Sequence, residues 1–223
     1  AQHEILPSGE TVRSLFTYSS GGNQRLFAAD DTGIYEVTTV TSGILWPCTN
    51  GEWITIQFST AGGTFVIGVN GADEAFIFDG TSFDGLNITF PAPMVSDTSQ
   101  FSFVWAYKQR IYFVGKDSLS AWYLPVDSVG GSVVELPLGG VFNRGGVLLW
   151  GQTWSLSSGG DGGLSEQCTF CTTTGEVAIY QGMSPDSAAD WSKVGVYNIG
   201  APMGKRAFVR AGGDLVVATT IGF

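Results

Sequence analysis

Asp31-Thr32-Gly33 is the triplet that aspartic proteases use, a chemistry that needs two carboxylates sharing one proton. The chain has one copy, set in the tight turn of a repeated hairpin, and Asp30 beside it suits a turn equally well. A structural turn is therefore the reading. Cys168-Thr169-Phe170-Cys171 has the spacing of a redox pair or of half a zinc site. Only Cys48 and His3 are available to complete a tetrahedron, and no helical pattern follows the pair. On a strand, residues three apart point to opposite faces, so these cysteines read as packed free thiols. With one histidine in the chain, a Ser-His-Asp arrangement has no support either.

Other candidate sites fail on their spacing. Gly159-Gly160-Asp161-Gly162-Gly163 lacks the Lys-Ser/Thr ending and the following helix of a phosphate loop. The two carboxylates of Asp79-Gly80-Thr81-Ser82-Phe83-Asp84-Gly85 lack the ligand spacing and terminal Glu of a calcium loop. Asn87-Ile88-Thr89 matches a glycosylation sequon that matters only on a secretory route. Lys205-Arg206 and Arg210 are the densest basic group and read as a solvated strand end. The six arginines form no cluster motif of the sialidase kind, and Asp190-Trp191 carries nothing else of an aspartate box. The expectation is a non-enzymatic chain with no catalytic residue, metal or cofactor.

The elements around these residues are strands. The 223 residues include 29 aromatics and 32 glycines, with 13% charged residues. Each aromatic buries on the order of 150–250 Å2, so a core is within reach and the glycines punctuate turns. A net charge of −10 and a pI near 4.3 leave no basic stripe to grip nucleic acid, so any contact with DNA is transient. No apolar run approaches the length of a membrane span and no basic-then-apolar leader opens the chain. Three cysteines are too few and too odd for a disulfide scaffold, which favours synthesis in a reducing compartment.

One phrase occurs five times: apolar strand, tight polar turn, apolar strand. The copies are 25–38, 64–80, 110–124, 168–182 and 207–220, with turn centres near 32, 72, 117, 174 and 213. The period is about 40 residues, as in the four-stranded blades of a β-propeller. Asp31-Thr32-Gly33, Asn70-Gly71, Thr174-Gly175 and Gly212-Gly213 supply residues that tolerate positive φ. Further strands are expected at 51–58, 101–107, 132–138, 146–156 and 194–199. The unalternating runs FVIGV and DLVVAT predict strands buried on both faces. Residues 145–163 predict a strand plus an exposed Gly/Ser-rich loop, and 184–194 predicts a short helix, with Ser184 as cap and Pro185 in the first turn. The fold class is all-β, a propeller-like array of about five hairpin units in a single domain over 1–223. The fifth phrase is followed only by Ile221-Gly222-Phe223, which predicts a piece of a longer chain, its last blade closed by one strand from residues 5–18 and by others from a continuation beyond Phe223 or a neighbouring subunit.

Four stretches, 12–38, 50–80, 107–131 and 190–220, resemble in phrasing a family of tailed-bacteriophage virion proteins that fold as β-propellers. The resemblance implies a tail nozzle or head-to-tail hub protein, made in the host cytoplasm. It also implies assembly with itself in a ring, commonly sixfold, and with neighbouring tail or connector proteins around the genome-delivery conduit. It carries no catalytic residues and implies no membrane insertion. An acidic wall would let a duplex slide. Two other classes fit the residues: a carbohydrate-binding or glycosidase-like propeller using Trp122, Trp150 and Trp154 as platforms, and a generic protein-interaction propeller.

Overall fold

The computed structural model describes residues 6–39, 43–91, 96–156, 165–211 and 213–222. The expected loop at 157–163 and His3 therefore lie outside the described residues. The chain divides into two compact units, Ala1–Val104 with Asp127–Val133, and Trp105–Val126 with Val134–Phe223.

Unit 1 holds two four-stranded antiparallel sheets in which chain order is spatial order. The first comprises β1 (Ser14–Ser20), β2 (Asn23–Ala29), β3 (Gly33–Glu36) and β4 (Ile44–Pro47), and the second β5 (Ile54–Thr60), β6 (Gly63–Val69), β7 (Phe76–Phe78) and β8 (Phe83–Gly85). Ser20 pairs with Asn23, so Gly21 (φ 56°) and Gly22 (φ 83°) form a two-residue loop with positive φ at both positions. The core is aromatic: Phe16 stacks on Phe27 at 5.3 Å and on Phe76 at 5.6 Å, and Trp53 meets Phe76 edge-on at 5.0 Å. Such pairs add about 0.5–1.5 kcal/mol each beyond area burial. The two sheets are thus bonded face to face by rings from β1, β2 and β7. A short pair, β9 (Ile88–Thr89), and a 3-10 turn at Thr98–Gln100, capped by the Asp97 side chain, lead to β10 (Phe101–Tyr107).

The division between units falls within β10. The third sheet continues through β11 (Arg110–Gly115) and β12 (Ser120–Tyr123); β13 (Gly131–Ser132) pairs parallel with β9 in unit 1, and β14 (Val134–Pro137) closes the third sheet. The fourth sheet is β15 (Leu148–Leu156), β16 (Ser165–Thr172), β17 (Glu176–Gln181) and β18 (Ser192–Asn198), followed by the hairpin β19 (Phe208–Ala211) and β20 (Asp214–Val217). Trp105 packs on Tyr112 at 5.2 Å and on Phe170 at 5.6 Å, and Trp150 on Phe208 at 5.0 Å.

Each of the first four repeated phrases is the second and third strand of a sheet, and the other expected strands supply a first or fourth member. Three expectations change. No helix forms at 184–194: turns close from Ser187 N to Ser184 O and from Asp190 N to Ser187 O, after which β18 begins by pairing Ser192 with Gln181. The reason is Trp191, whose ring stacks on Tyr180 at 5.3 Å and pulls the segment into the sheet. Gly33 is not a positive-φ residue; it opens β3, where a Cβ would sit 2.6 Å from Ile44 Cγ2. DLVVAT is not buried on both faces. In β20, Asp214 and Val216 are exposed while Leu215 and Val217 turn inward, because the hairpin has a sheet against one face only in unit 2. The other such run behaves as expected, with Val66–Val69 of β6 buried.

Candidate functional site

The turn carboxylates are structural anchors. Asp30 Oδ1 accepts from Thr32 N at 2.8 Å, Thr32 Oγ1 at 2.6 Å and Gly33 N at 3.1 Å, and Asp30 Oδ2 accepts from Ser8 Oγ. Asp31 receives Arg13 Nε at 3.1 Å and Gly51 N at 3.0 Å. Asp73 receives Thr49 N at 2.9 Å, Thr49 Oγ1 at 2.7 Å, Asn50 N at 3.0 Å and Asn70 Nδ2 at 2.7 Å. In unit 2, Glu176 receives Asn143 N at 3.0 Å and Arg144 N at 2.7 Å. In three of the four sheets, an acid at the turn between second and third strands thus ties down the segment that enters the sheet. Burial opposes ionisation of Asp30 and Asp73, but their hydrogen bonds outweigh it and hold both carboxyls below the usual range. Asp30 is thus bonded within its own turn and Asp31 to Arg13 and the Gly51 backbone, the arrangement of turn chemistry.

Cys168 and Cys171 lie on β16, buried on opposite faces. Burial pushes the Cys171 thiol up to about 12 and raises that of Cys168, beside the Trp105 indole. Cys48 is also buried, donates to Asp30 O at 3.3 Å and is raised by burial. We expect none of the three thiols to react with Ellman's reagent at pH 8 in the folded chain and all three to react in denaturant. We further expect the Cys168→Ser, Cys171→Ser double variant to keep its assembly state and to show no loss of bound zinc. Rapid labelling of native protein, or stoichiometric zinc that the double variant lacks, goes against the structural assignment.

Asp79 Oδ1 is spent on Thr81 N at 2.7 Å and Ser82 N at 2.9 Å, and Asp84 Oδ2 meets Ser82 Oγ at 3.3 Å, so the pair closes a turn. Among the described residues no group of three His, Cys, Asp or Glu is placed to hold a metal ion. No described helix is long and apolar enough to cross a membrane. Trp122 and Trp150 are 5% and 0% exposed and present no ring face to a sugar. Arg110 is locked in structure: it donates to Leu124 O at 3.3 Å and Ser184 Oγ at 3.1 Å, and lies over the Tyr123 ring.

The surface feature that remains is apolar. In unit 2 a groove of about 490 Å3 runs between the fourth sheet and the β19–β20 hairpin, lined by Trp154, Ile179, Val194, Tyr197, Leu215 and Val217 among others. Trp154 Nε1 donates to Gly213 O at 2.9 Å and holds the hairpin at its mouth. Val194, Tyr197 and Val209 are 44%, 53% and 58% exposed. Nothing in the sequence pattern distinguished these residues from ordinary strand positions. The signal that was available is the run of apolar residues in β18–β20.

No family model matches the chain, and no curated protein matches it. Among solved structures, the crystal structure of BBS1N in complex with ARL6DN, soaked with mercury, aligns with 97% of this chain at a TM-score of 0.55 and 13% identity. The chain spans 65% of the length of that chain. A structure of the same complex soaked with lead aligns with 95% of this chain and 77% of the other at a TM-score of 0.45 and 12% identity. BBS1N is a β-propeller domain, and the first likeness together with the antiparallel four-stranded sheets defines the fold as all-β and propeller-type.

Proposed function

We propose that this propeller is a structural, protein-binding component of a tailed-bacteriophage virion, part of the nozzle or hub ring around the genome conduit, and not an enzyme. The observation that carries the protein-binding half is the exposed apolar set on β18–β20 beside the groove. Solvated propeller strands of a chain with this charge have no reason to keep Tyr197, Val194 and Val209 in water unless another surface covers them. The virion half is supported by the phrases of 12–38, 50–80, 107–131 and 190–220, and by an acidity suited to a wall that DNA slides past. The complex of BBS1N with ARL6DN supports the coarser reading as well, since there a propeller of this type meets a protein partner.

Mass spectrometry of purified phage particles tests the proposal. The chain is expected at several copies per particle. Its absence from particles, or a hydrolytic turnover abolished by one substitution, defeats it.

A further inference from the structure

The fourth sheet has four strands, and the sheet that follows it, β19–β20, has two. Unit 1 shows what a four-stranded neighbour does. There the first sheet turns Phe16, Tyr18 and Phe27 toward the second, whose third and fourth strands supply covering rings. Phe78 of β7 meets Tyr18 at 5.2 Å and Phe27 at 5.0 Å, and Phe83 of β8 meets Phe27 at 5.2 Å. In unit 2, Phe208 of β19 covers Trp150 on the corresponding face of the fourth sheet. Past β20 no described strand follows in that sheet, and the groove of about 490 Å3 runs where third and fourth strands would lie. Val177 and Ile179 are buried at its floor, Leu215 and Val217 are half-buried on one wall, and Tyr197 is 53% exposed on the other.

β20 also leaves backbone groups open along this groove. Ala218 N donates to Ala207 O at 2.7 Å, which fixes the alternation: residues 214, 216 and 218 turn their N–H and C=O groups toward β19, and Leu215 and Val217 turn theirs away. The open stretch is bounded. At one end Gly213 O accepts from Trp154 Nε1, and at the other Thr219 N donates to Gly222 O at 2.9 Å. Between them no described residue bonds to the N–H or C=O of Leu215 or Val217. That leaves room for a strand as short as β7, whose Phe76 and Phe78 sit opposite Gly68 and Val66 of β6 and turn into the core they share with the first sheet. Residues opposite Val217 and Leu215 on an added strand turn toward the fourth sheet in the same way. An unpaired edge beside an apolar groove is the setting of strand addition, in which main-chain bonds hold a peptide and its alternate side chains enter pockets.

Resting on the protein-binding half of the proposed function, we infer that β20 takes a short antiparallel strand from a partner protein, with large apolar side chains at alternate positions that fill the groove between β20 and Tyr197. A second copy's β20 does not serve. Two β20 edges paired antiparallel are related by a twofold axis perpendicular to the sheet, which puts the fourth sheets of both copies on the same side and in the same space.

The probe that tests this is a synthetic peptide with the sequence of residues 74–86, which covers the corresponding face in unit 1. Saturable binding to the purified chain is expected, with slowed hydrogen exchange at the Leu215 and Val217 amides, and no binding of the peptide carrying Phe76→Ser, Phe78→Ser and Phe83→Ser. In the chain, Val217→Pro removes an N–H that points away from β19 and leaves the hairpin paired, and Tyr197→Lys alters an exposed position. Each is expected to weaken binding about tenfold or more. No saturable binding up to about 1 mM, equal binding of the serine peptide, or equal binding by both variants overturns the inference. So does binding that leaves exchange at Leu215 and Val217 unchanged, which makes the groove a pocket for apolar groups in general. Self-association of the chain that Tyr197→Lys abolishes makes a second copy the occupant and overturns it too. Should Val217→Pro fail to fold by circular dichroism, Tyr197→Lys and the exchange rates carry the test. A chain found in phage particles whose β20 edge takes no strand defeats this contact alone; one that takes the strand but is missing from particles defeats the virion reading alone.

Discussion

Gly175→Ala is expected to destabilise the chain by about 4 kcal/mol, at the upper end of what single substitutions do. Gly175 sits in the β16–β17 turn with φ 83°, and its N–H donates to Thr172 O at 3.0 Å. A Cβ there would lie 2.0 Å from Gly200 O and 2.2 Å from Gly200 C, both backbone atoms, and Ile199 N donates to Gly175 O at 2.9 Å. The clash cannot be relieved by a side-chain rotation. Either the turn flips, losing the Thr172 Oγ1 bond to Glu176 N and with it the Glu176 anchor, or the segment after β18 moves away. Gly21→Ala separates the two contributions. At φ 56° with nothing within 4 Å of its Cβ, it bears only the left-handed backbone cost of about 1–2 kcal/mol. Urea denaturation of both variants measures the difference, and equal midpoint shifts would show that the approach of Gly200 carries no weight.

Asp73→Asn is expected to cost about 2 kcal/mol at neutral pH and to change the response of the chain to acid. Asp73 takes four hydrogen bonds, two of them from backbone N–H groups of the segment that enters the second sheet. Bonds to a charged acceptor contribute about 1.5–3 kcal/mol each when buried, and the partly exposed position lets water replace some of them. Because the folded carboxyl is held below its usual 3.8, it binds fewer protons than the unfolded one. Its contribution is therefore complete above 3.8 and is lost as the pH falls through 3.8 toward the lower folded value. Asp30 shifts in the same direction. Urea midpoints measured on both chains across that window should converge as the pH drops, the wild type falling further. Parallel curves would mean that Asp73 is no anchor, and the entry segment is then held by packing alone.

Much of this architecture was legible in the residues. The five phrases located the central strands of all four sheets and the final hairpin, because turn chemistry and strand patterning are properties of three or four neighbouring residues: Asn70-Gly71 and Thr174-Gly175 each supply a positive φ at the turn. The spacing of Cys168 and Cys171 was enough to put them on opposite faces once the segment was a strand. The site was less legible. Asp73 meets Thr49 across 24 residues, and Glu176 meets Asn143 across 33, so neither could be seen as a tie to distant backbone. The segment 184–194 has every local helix signal, yet Trp191 finds a stacking partner in Tyr180 that a three-turn helix could not reach, and strand pairing takes the chain. DLVVAT and FVIGV have the same composition of β-formers, yet Val66–Val69 are all buried while Asp214 and Val216 are exposed. The sequence by itself determined where most strands begin and turn. Which strand faces are covered, which acids reach across to which loops, and which valines are left in water were decided by stacking of sheets, a non-local contact whose free energy depends on surfaces that no window of neighbouring residues contains.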